Sequence, residues 1–236
     1  MPLILNLESS TEVCSVVLSR DGEIIASREN AEGQNHAKLL TVFVEEIFKE
    51  TGITAQSLDA VAVSSGPGSY TGLRIGVSTA KGICYAAEKP LIAVSPLQSM
   101  AHYVASVKKD IAPASSENIL FCPMIDARRM EVYTALYDSS NTIVKAVSAQ
   151  IIDENSFREQ LESGLVLFFG NGSEKCRKFI VHENAYFVEN VVTSARFMYL
   201  LAEKAYCENR FVDVAYYEPF YLKDFIATIP TKNVFK

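Results

Sequence analysis

The sequence predicts an α/β protein of two lobes, each a mixed sheet with a three-strand meander flanked by helices. Three observations lead there. The order three strands, helix, strand, helix runs twice along the chain. Short apolar runs of strand length alternate with longer runs of helical period. A polar, proline-containing stretch, DIAPASSEN (Asp110–Asn118), separates the two passes. The expected lobes are therefore residues 1–109 and residues 110–236, the second ending in a helix and tail.

The first pass opens with LILNLE (Leu3–Glu8) and CSVVLS (Cys14–Ser19), two strands divided by SSTE. RDGE (Arg20–Glu23) carries the Asp-Gly pair of a type I′ hairpin, so IIASRE continues as a third strand. NHAKLLTVFVEEIFKE (Asn35–Glu50) reads as a helix, with Asn35 as N-cap and Gly52 as its stop. Its apolar residues Leu39, Leu40, Val42, Phe43, Val44, Ile47 and Phe48 span an arc of roughly 240°, where one core needs a stripe of about 100°. Either a second packing partner or deep burial accounts for the surplus. LDAVAVSSG (Leu58–Gly66) reads as a buried strand. A Gly-Pro-Gly turn leads from it into a helix over about Gly72–Ala87. Gly72, Gly76 and Ala80 recur at i, i+4 and let another backbone come close, while Arg74, Ser78, Lys81 and Tyr85 lie on the other side. PLIAV (Pro90–Val94) is a strand, and PLQSMAHYVASVKK starts a helix with Pro96 in its first turn.

In the second pass ILFCPMID and MEVYTALYD read as strands around ARR, and NTIVKAVSAQII as a third. DENSFREQLES is expected to be a helix and LVLFFG a buried strand. NGSEKCRKFIV is expected to start another helix, and SARFMYLLAEKAYCEN to form an amphipathic one.

Composition narrows the function. At 236 residues, 49% hydrophobic and 21% charged, the chain can bury a sizeable core. A net charge of −6 argues against its gripping a nucleic-acid backbone alone, though not within a complex whose other member does so. The five cysteines, Cys14, Cys84, Cys122, Cys176 and Cys207, show no CxxC spacing and read as reduced and buried. MPLILNLESS lacks the pattern of a signal peptide, and no apolar run approaches the ~18 residues of a membrane span. A cytoplasmic protein is expected.

The stretch SSGPGSYTGLRIGVSTAKG (Ser64–Gly82) raises the question of nucleotide chemistry, because Gly-rich turns into helices often cradle phosphates. It has no Lys at the helix start, so it is not a P-loop. GSYTG does not have the spacing of a nucleophile elbow at Ser69. ESSTEVCS offers Ser9, Ser10 and Thr11 as donors, but its counterpart in the second lobe, IDARRME, contains no glycine. GNGS (Gly170–Ser173) reads as a vestigial adenosine turn or a plain strand-to-helix turn. His36, His102 and His182 are far apart, so no helical two-His metal site is present. Asp126 and Glu131 could pair as carboxylates or serve structure beside Arg128 and Arg129.

LNLESSTEVCSVVLSRDGEII, SSGPGSYTGLRIGVSTAKGICYA, MIDARRMEVYTALYD and EPFYLKDF together resemble the TsaB (YeaZ-type) family, over Leu3–Phe225. The resemblance implies two lobes of the actin/Hsp70/sugar-kinase superfold, related to ribonuclease H. It implies a non-catalytic subunit for threonylcarbamoylation of the adenosine 3′ of the anticodon in tRNAs reading codons that begin with A. The transferase would be a TsaD-type paralogue, bound as a heterodimer, with a TsaE-type ATPase in a larger complex. The chain alone would form a homodimer through the same patch. It would meet tRNA only through the complex and no membrane at all. Pro96 and Met100 stand where the paralogue carries its two metal-binding histidines, and Ser15 where paralogues tend to have glycine. The resemblance thus implies no metal, and no cofactor on the isolated chain. A nucleotide at the heterodimer interface, approached by Arg74 or Lys81, remains compatible with it. The implied interface is the first helix pair of the N-terminal lobe: His36, Leu39, Leu40, Phe43 and Ile47, with Tyr70, Leu73, Arg74, Val77, Ser78 and Lys81. On that reading Val77→Glu would weaken association. The alternative is a stand-alone enzyme, a glycoprotease-like metallopeptidase or a small-molecule kinase of the same superfold.

Overall fold

The protein, seen in a computed structural model that describes residues 2–33, 35–111 and 118–223, is built around two five-stranded sheets. In the first, β1 (Leu3–Glu8) pairs antiparallel with β2 (Cys14–Arg20), which pairs antiparallel with β3 (Glu23–Asn30). On its other side β1 runs parallel to β4 (Ala60–Ser64), and β4 to β5 (Leu91–Val94), giving the order β3-β2-β1-β4-β5. The hairpin forms as expected: Asp21 and Gly22 both have positive φ, 58° and 73°, as a type I′ turn requires.

The second sheet repeats this plan. β6 (Ile119–Asp126) pairs antiparallel with β7 (Glu131–Tyr137), which pairs antiparallel with β8 (Ile143–Ile151). β6 also runs parallel to β9 (Leu165–Phe169), and β9 to β10 (Ala185–Phe187). The order β8-β7-β6-β9-β10 reproduces that of the first sheet strand for strand.

Alternation of side chains gives each sheet two apolar faces. On β1, Leu3, Leu5 and Leu7 face α1 (His36–Thr51) and α2 (Tyr70–Ala87), meeting Leu40, Val44, Ile47, Val77 and Ala80. Ile4, with Val17, Ala60, Ala62 and Ile92, faces the opposite way, onto Ala202 and Ala205 of α5 (Tyr199–Cys207). In the second sheet Phe121, Ile125, Leu167 and Phe169 meet Leu97, Met100, Ala101 and Val104 of α3 (Pro96–Ile111). Cys122, Met124, Val166 and Phe168 meet Phe157 and Leu161 at α4 (Arg158–Ser163).

The helices therefore do not respect a cut between residues 109 and 110. α3 follows β5 in sequence but packs on the second sheet, and α5 follows β10 but packs on the first. Most of DIAPASSEN lies outside the described residues.

Several expected helices are shorter. The run from Asp153 first forms a side-chain-bonded turn, in which Asp153 Oδ1 accepts from Asn155 N and Ser156 Oγ. Such bonds compete with the helical ladder, and α4 begins only after Phe157, at φ 64°. NGSEKCRKFIV yields a single 3₁₀ turn, Glu174–Cys176, held by i→i+3 bonds, and then the unanticipated strand β10. SARFMYLL opens as a separate 3₁₀ turn, Ala195–Phe197, capped by Ser194 Oγ, which accepts from Arg196 N, while Ser15 Oγ accepts from Ala195 N.

Candidate partner interface

The Gly-rich turn is a packing device. Ser69 caps α2, its Oγ accepting from Gly72 N at 3.3 Å, which places this hydroxyl in a structural role. Ser69 N donates to Ser10 O at 2.6 Å, and Ser9 Oγ donates to Gly72 O at 2.9 Å. A Cβ on Gly68 would stand 2.2 Å from Ser10 O, one on Gly72 2.1 Å from Ser9 O, and one on Gly76 2.2 Å from Ser9 Oγ. The small residues thus let α2 press onto the loop joining β1 and β2, where a phosphate cradle would otherwise lie.

The rest of that loop is bound across to the second half of the chain. Thr11 and Thr193 share a hydroxyl–hydroxyl bond of 2.6 Å, and Asn171 Nδ2 donates to Glu12 Oε2 at 2.7 Å. Asn171 Oδ1 accepts from Asp126 N at 3.0 Å. Gly170, at φ 103°, is pressed so closely on β6 that a Cβ would stand 2.2 Å from Met124 O. The GNGS turn therefore docks against β6. Asp126 and Glu131 are not a carboxylate couple. Lys175 Nζ donates to Asp126 Oδ1 at 2.5 Å and to Glu131 O at 2.7 Å, while the Glu131 carboxylate is paired with Lys223.

The titratable groups are equally committed. Burial pushes the thiols of Cys14, Cys84 and Cys122 up to about 12, and that of Cys176 up to about 11, so they stay protonated. Cys207 departs from the expectation: it lies exposed at the end of α5. His36 Nε2 lies 3.3 Å from Val13 O, and His182 Nδ1 accepts from Asn184 N at 3.1 Å. Met100 is wholly buried in the core beneath the second sheet. Among the described residues no three His, Cys, Asp or Glu side chains come together as a metal site.

The remaining candidate surface is the α1–α2 pair, and the structure divides the eleven proposed residues into three groups. Leu40 and Ile47 are 0% exposed, Leu73 1% and Val77 4%. These four belong to the core, because α1 and α2 meet the sheet along their edges as well as their centres. Val77→Glu would therefore bury a charge within the fold and test stability rather than association. Leu39, Phe43 and His36 are half-buried, and Ser78 is exposed. Tyr70, Arg74 and Lys81 are engaged by the chain's own C-terminal segment. Lys81 Nζ donates to Ala215 O at 2.9 Å and Tyr217 O at 3.1 Å. Arg74 lies 4.3 Å over the Tyr70 ring and donates through Nε to Tyr221 Oη at 3.4 Å. Tyr70 and Tyr221 have ring centroids 4.8 Å apart.

Residues 212–223 form a strap across α2, anchored at one end by Val212 N on Leu91 O and further along by Phe220 N on Ser65 O. No helix among the described residues is long and apolar enough to cross a membrane. The sequence reading used YLKD only as a family mark and missed that its Tyr221 lies against Tyr70 and Arg74 of α2. Tyr85, placed opposite the small-residue stripe but left out of the implied interface, is 85% exposed on the same helix.

A family model described as TsaD, tRNA N6-adenosine threonylcarbamoyltransferase, matches residues 23–231. The chain is 30% identical over 237 residues to the tRNA threonylcarbamoyladenosine biosynthesis protein TsaB of Escherichia coli, covering 95% of this chain and 96% of that protein. It is 28% identical over 230 residues to TsaB of Haemophilus influenzae, covering 94% and 93%. Among solved structures, YeaZ from Pseudomonas aeruginosa superposes with a TM-score of 0.77 at 26% identity, covering 94% of this chain and all of that one.

Proposed function

The chain belongs to the TsaD family, matches TsaB over nearly its whole length and serves tRNA threonylcarbamoyladenosine biosynthesis, and from that premise we propose that it does so as a non-catalytic subunit. The observation that carries this reading is the packing of α2 on Ser9 and Ser10. Of the groups that a phosphate-binding enzyme of this architecture would aim at its substrate, Ser9 Oγ is bound to Gly72 O, Ser10 N to Glu8 Oε1 and Thr11 Oγ1 to Thr193 Oγ1, while Ser10 Oγ is buried beneath α2. Met100, which the resemblance sets at a metal-ligand position of the paralogue, is wholly buried in the core.

The partner is a TsaD-type transferase, and the docking surface is the outer side of α1 and α2. Half-buried Leu39 and Phe43, with exposed Ser78 and Tyr85, supply an apolar patch with polar points on two rigid elements. The strap borders this patch, so Tyr70, Arg74 and Lys81 shape its margin while held by Tyr221, Ala215 and Tyr217. A nucleotide seated at that junction would meet Arg74 first, because Lys81 already donates to two carbonyls. The isolated chain forms a homodimer through the same surface, and an excess of the transferase dissolves it. A TsaE-type ATPase joins the pair, and tRNA is held by the partners, in keeping with the net charge of −6. The assembly is cytoplasmic, where unmodified tRNA is found.

The test is threonylcarbamoyl transfer to tRNA, reconstituted from a TsaD-type transferase, a TsaE-type ATPase and the donor-forming synthase of the same organism. Product should form only when this chain is added. Product at the same rate without it would refute an activating role, and transfer by this chain without the TsaD-type protein would refute a non-catalytic one.

A further inference from the structure

The contact between α2 and the loop joining β1 to β2 closes over a carboxyl group. Glu8, the last residue of β1, is 1% exposed there. Its Oε1 accepts from Ser10 N at 2.6 Å, whereas Oε2 is out of reach of solvent and has no hydrogen-bond partner. The Ser10 hydroxyl, two residues on, is buried without a partner as well.

Among the described residues no cation is set against this carboxyl. On β2 its partner in register is Ser15, and the titratable group there is the Cys14 thiol. β4 presents Ser64, whose hydroxyl accepts from Ser9 N at 3.3 Å. The loop adds Glu12, which is bonded to Asn171. α2 presents Gly72 and Gly76, while its cations Arg74 and Lys81 are turned to Tyr221 and to the carbonyls of Ala215 and Tyr217. An ionised Glu8 would thus be a buried charge without a counterion, which costs far more than the neutral acid. Burial accordingly raises its pKa above the ordinary 4.5, and burial together with the Glu8 charge pushes up the Cys14 thiol.

The cover is held unevenly along its length. At the N-terminal end of α2, Ser69 N donates to Ser10 O at 2.6 Å and Ser9 Oγ donates to Gly72 O at 2.9 Å. From outside, Tyr221 rests on Tyr70 and accepts from Arg74. Further along, Val77, Ala80 and Cys84 are set in the core and Lys81 is bound to the strap. Gly66, at φ 96° in the turn before α2, supplies a hinge position. The N-terminal turns can therefore part from the loop while the rest of the helix stays in place.

We propose that α2 is a proton-linked cover: its first turns seat on the β1–β2 loop with Glu8 in the acid form, and loss of that proton parts them from Ser9 and Ser10. Water then reaches the carboxylate. Leu73, 1% exposed when α2 is seated, is uncovered at the same time, so the parted form stays a minority. α2 is half of the docking surface in the reading above, and on that reading alone rests one consequence: a partner that requires α2 seated binds with uptake of up to one proton.

The test is amide hydrogen exchange of the full chain between about pH 4 and 8, read by NMR and divided by the intrinsic rates to give opening constants. At Ser69, Gly72 and Leu73 these should exceed those of β6 and β9 by about tenfold or more, because the opening is local. They should be flat below the ordinary carboxylate range and rise by up to about tenfold per pH unit above it, since there only the parted form has lost its proton. They should level off where Glu8 titrates in the seated form, which its carboxyl carbon-13 shift reports directly in the parent chain. In Glu8→Gln the rise should vanish, and the opening constants at pH 7 should fall by about tenfold or more. In Gly72→Ala, where a Cβ would stand 2.1 Å from Ser9 O, Glu8 should titrate nearer the ordinary range, by linkage. Exchange of Ser69 and Gly72 with the same constants as β6 and β9, a pH dependence that survives in Glu8→Gln, or an unshifted Glu8 titration in Gly72→Ala would each overturn the proposal. Affinity for the TsaD-type transferase should fall as pH rises in the parent chain and not in Glu8→Gln. An equal pH dependence in both would break the link to docking, and no binding at any pH would refute the docking surface while the exchange result stands.

Discussion

Glu8 ends β1 with its side chain inside the protein, 1% exposed. Its Oε1 accepts from Ser10 N at 2.6 Å, while Oε2 has no partner. Desolvation dominates over these bonds and raises its pKa above the ordinary 4.5. The sign of the consequence follows. Folding favours the protonated form, so the contribution of Glu8 is fully present below the unfolded pKa and is lost as pH rises through the folded one. In that window the fold either takes up a proton or buries a charge. Glu8→Gln keeps the acceptor for Ser10 N and removes the titration. The variant should match the parent near pH 4 and become progressively more stable than it toward neutrality, by up to about 1.4 kcal/mol per pH unit within the window. Urea unfolding of both proteins between pH 4 and 8 measures this, and parallel stability curves would contradict a raised pKa. The residue type alone could not announce the effect. In LNLESS the carboxylate looks like the polar end of a strand, and only the closure of α2 over Ser9 and Ser10 takes it out of water.

On α2 the same residue type has opposite roles one face apart. Gly72 lies against Ser9 O, with only 2.1 Å for a Cβ, whereas Gly82 has nothing within 4 Å and normal helical φ. Helix propensity favours alanine over glycine by about 1 kcal/mol at either site. At Gly72 the clash with a backbone oxygen must displace the helix from the β1–β2 loop, so Gly72→Ala should destabilise by about 1–3 kcal/mol in spite of propensity. Gly82→Ala should stabilise by about 0.5–1 kcal/mol. Thermal melts of the pair decide it, and a gain at both positions would mean that α2 does not press on the loop. The i, i+4 spacing of Gly72, Gly76 and Ala80 made this close approach legible, as Asp-Gly made the first hairpin legible, because each is a local rule. What it approached was not legible. The strap was hidden for the same reason: Lys81 reaches carbonyls 134 and 136 residues further along the chain, and no periodicity encodes that distance. The overestimated helices fail locally instead. Asp153 and Ser156 bond each other and consume the groups that would have started a helix. The candidate interface was legible as a pair of helices but not residue by residue. An arc of roughly 240° says that α1 is packed on more than one side without saying which side is protein of the same chain.

For the molecule as a whole, the exchange of helices matters more than the division into sheets. α3 is continuous in sequence with the first sheet and packs on the second, while α5 follows the second and packs on the first. Polar bonds close the same seam. Ser15 Oγ accepts from Ala195 N at 2.8 Å, Glu203 Oε2 accepts from Gly22 N at 2.8 Å, and Arg196 donates to Ser27 Oγ at 2.6 Å. Thr11 on Thr193 adds a further tie, from the loop joining β1 and β2 to the residues before α5. A seam tied in this way fixes the first sheet, on which α1 and α2 pack, so the two helices stand as one surface. Neither sheet can then lose its structure alone, since each lends a covering helix to the other. Ala202 is 0% exposed between α5 and the first sheet, so Ala202→Asp buries an unpaired charge there and should cost about 3 kcal/mol or more. The loss should appear in both sheets. Hydrogen exchange should accelerate at β6 and β9 as it does at β1 and β4, and denaturant unfolding should remain a single transition. If β6 and β9 kept their protection while β1 and β4 exchanged, the halves would be independent, and the rigid seam would lose its support as the basis of a preformed docking surface.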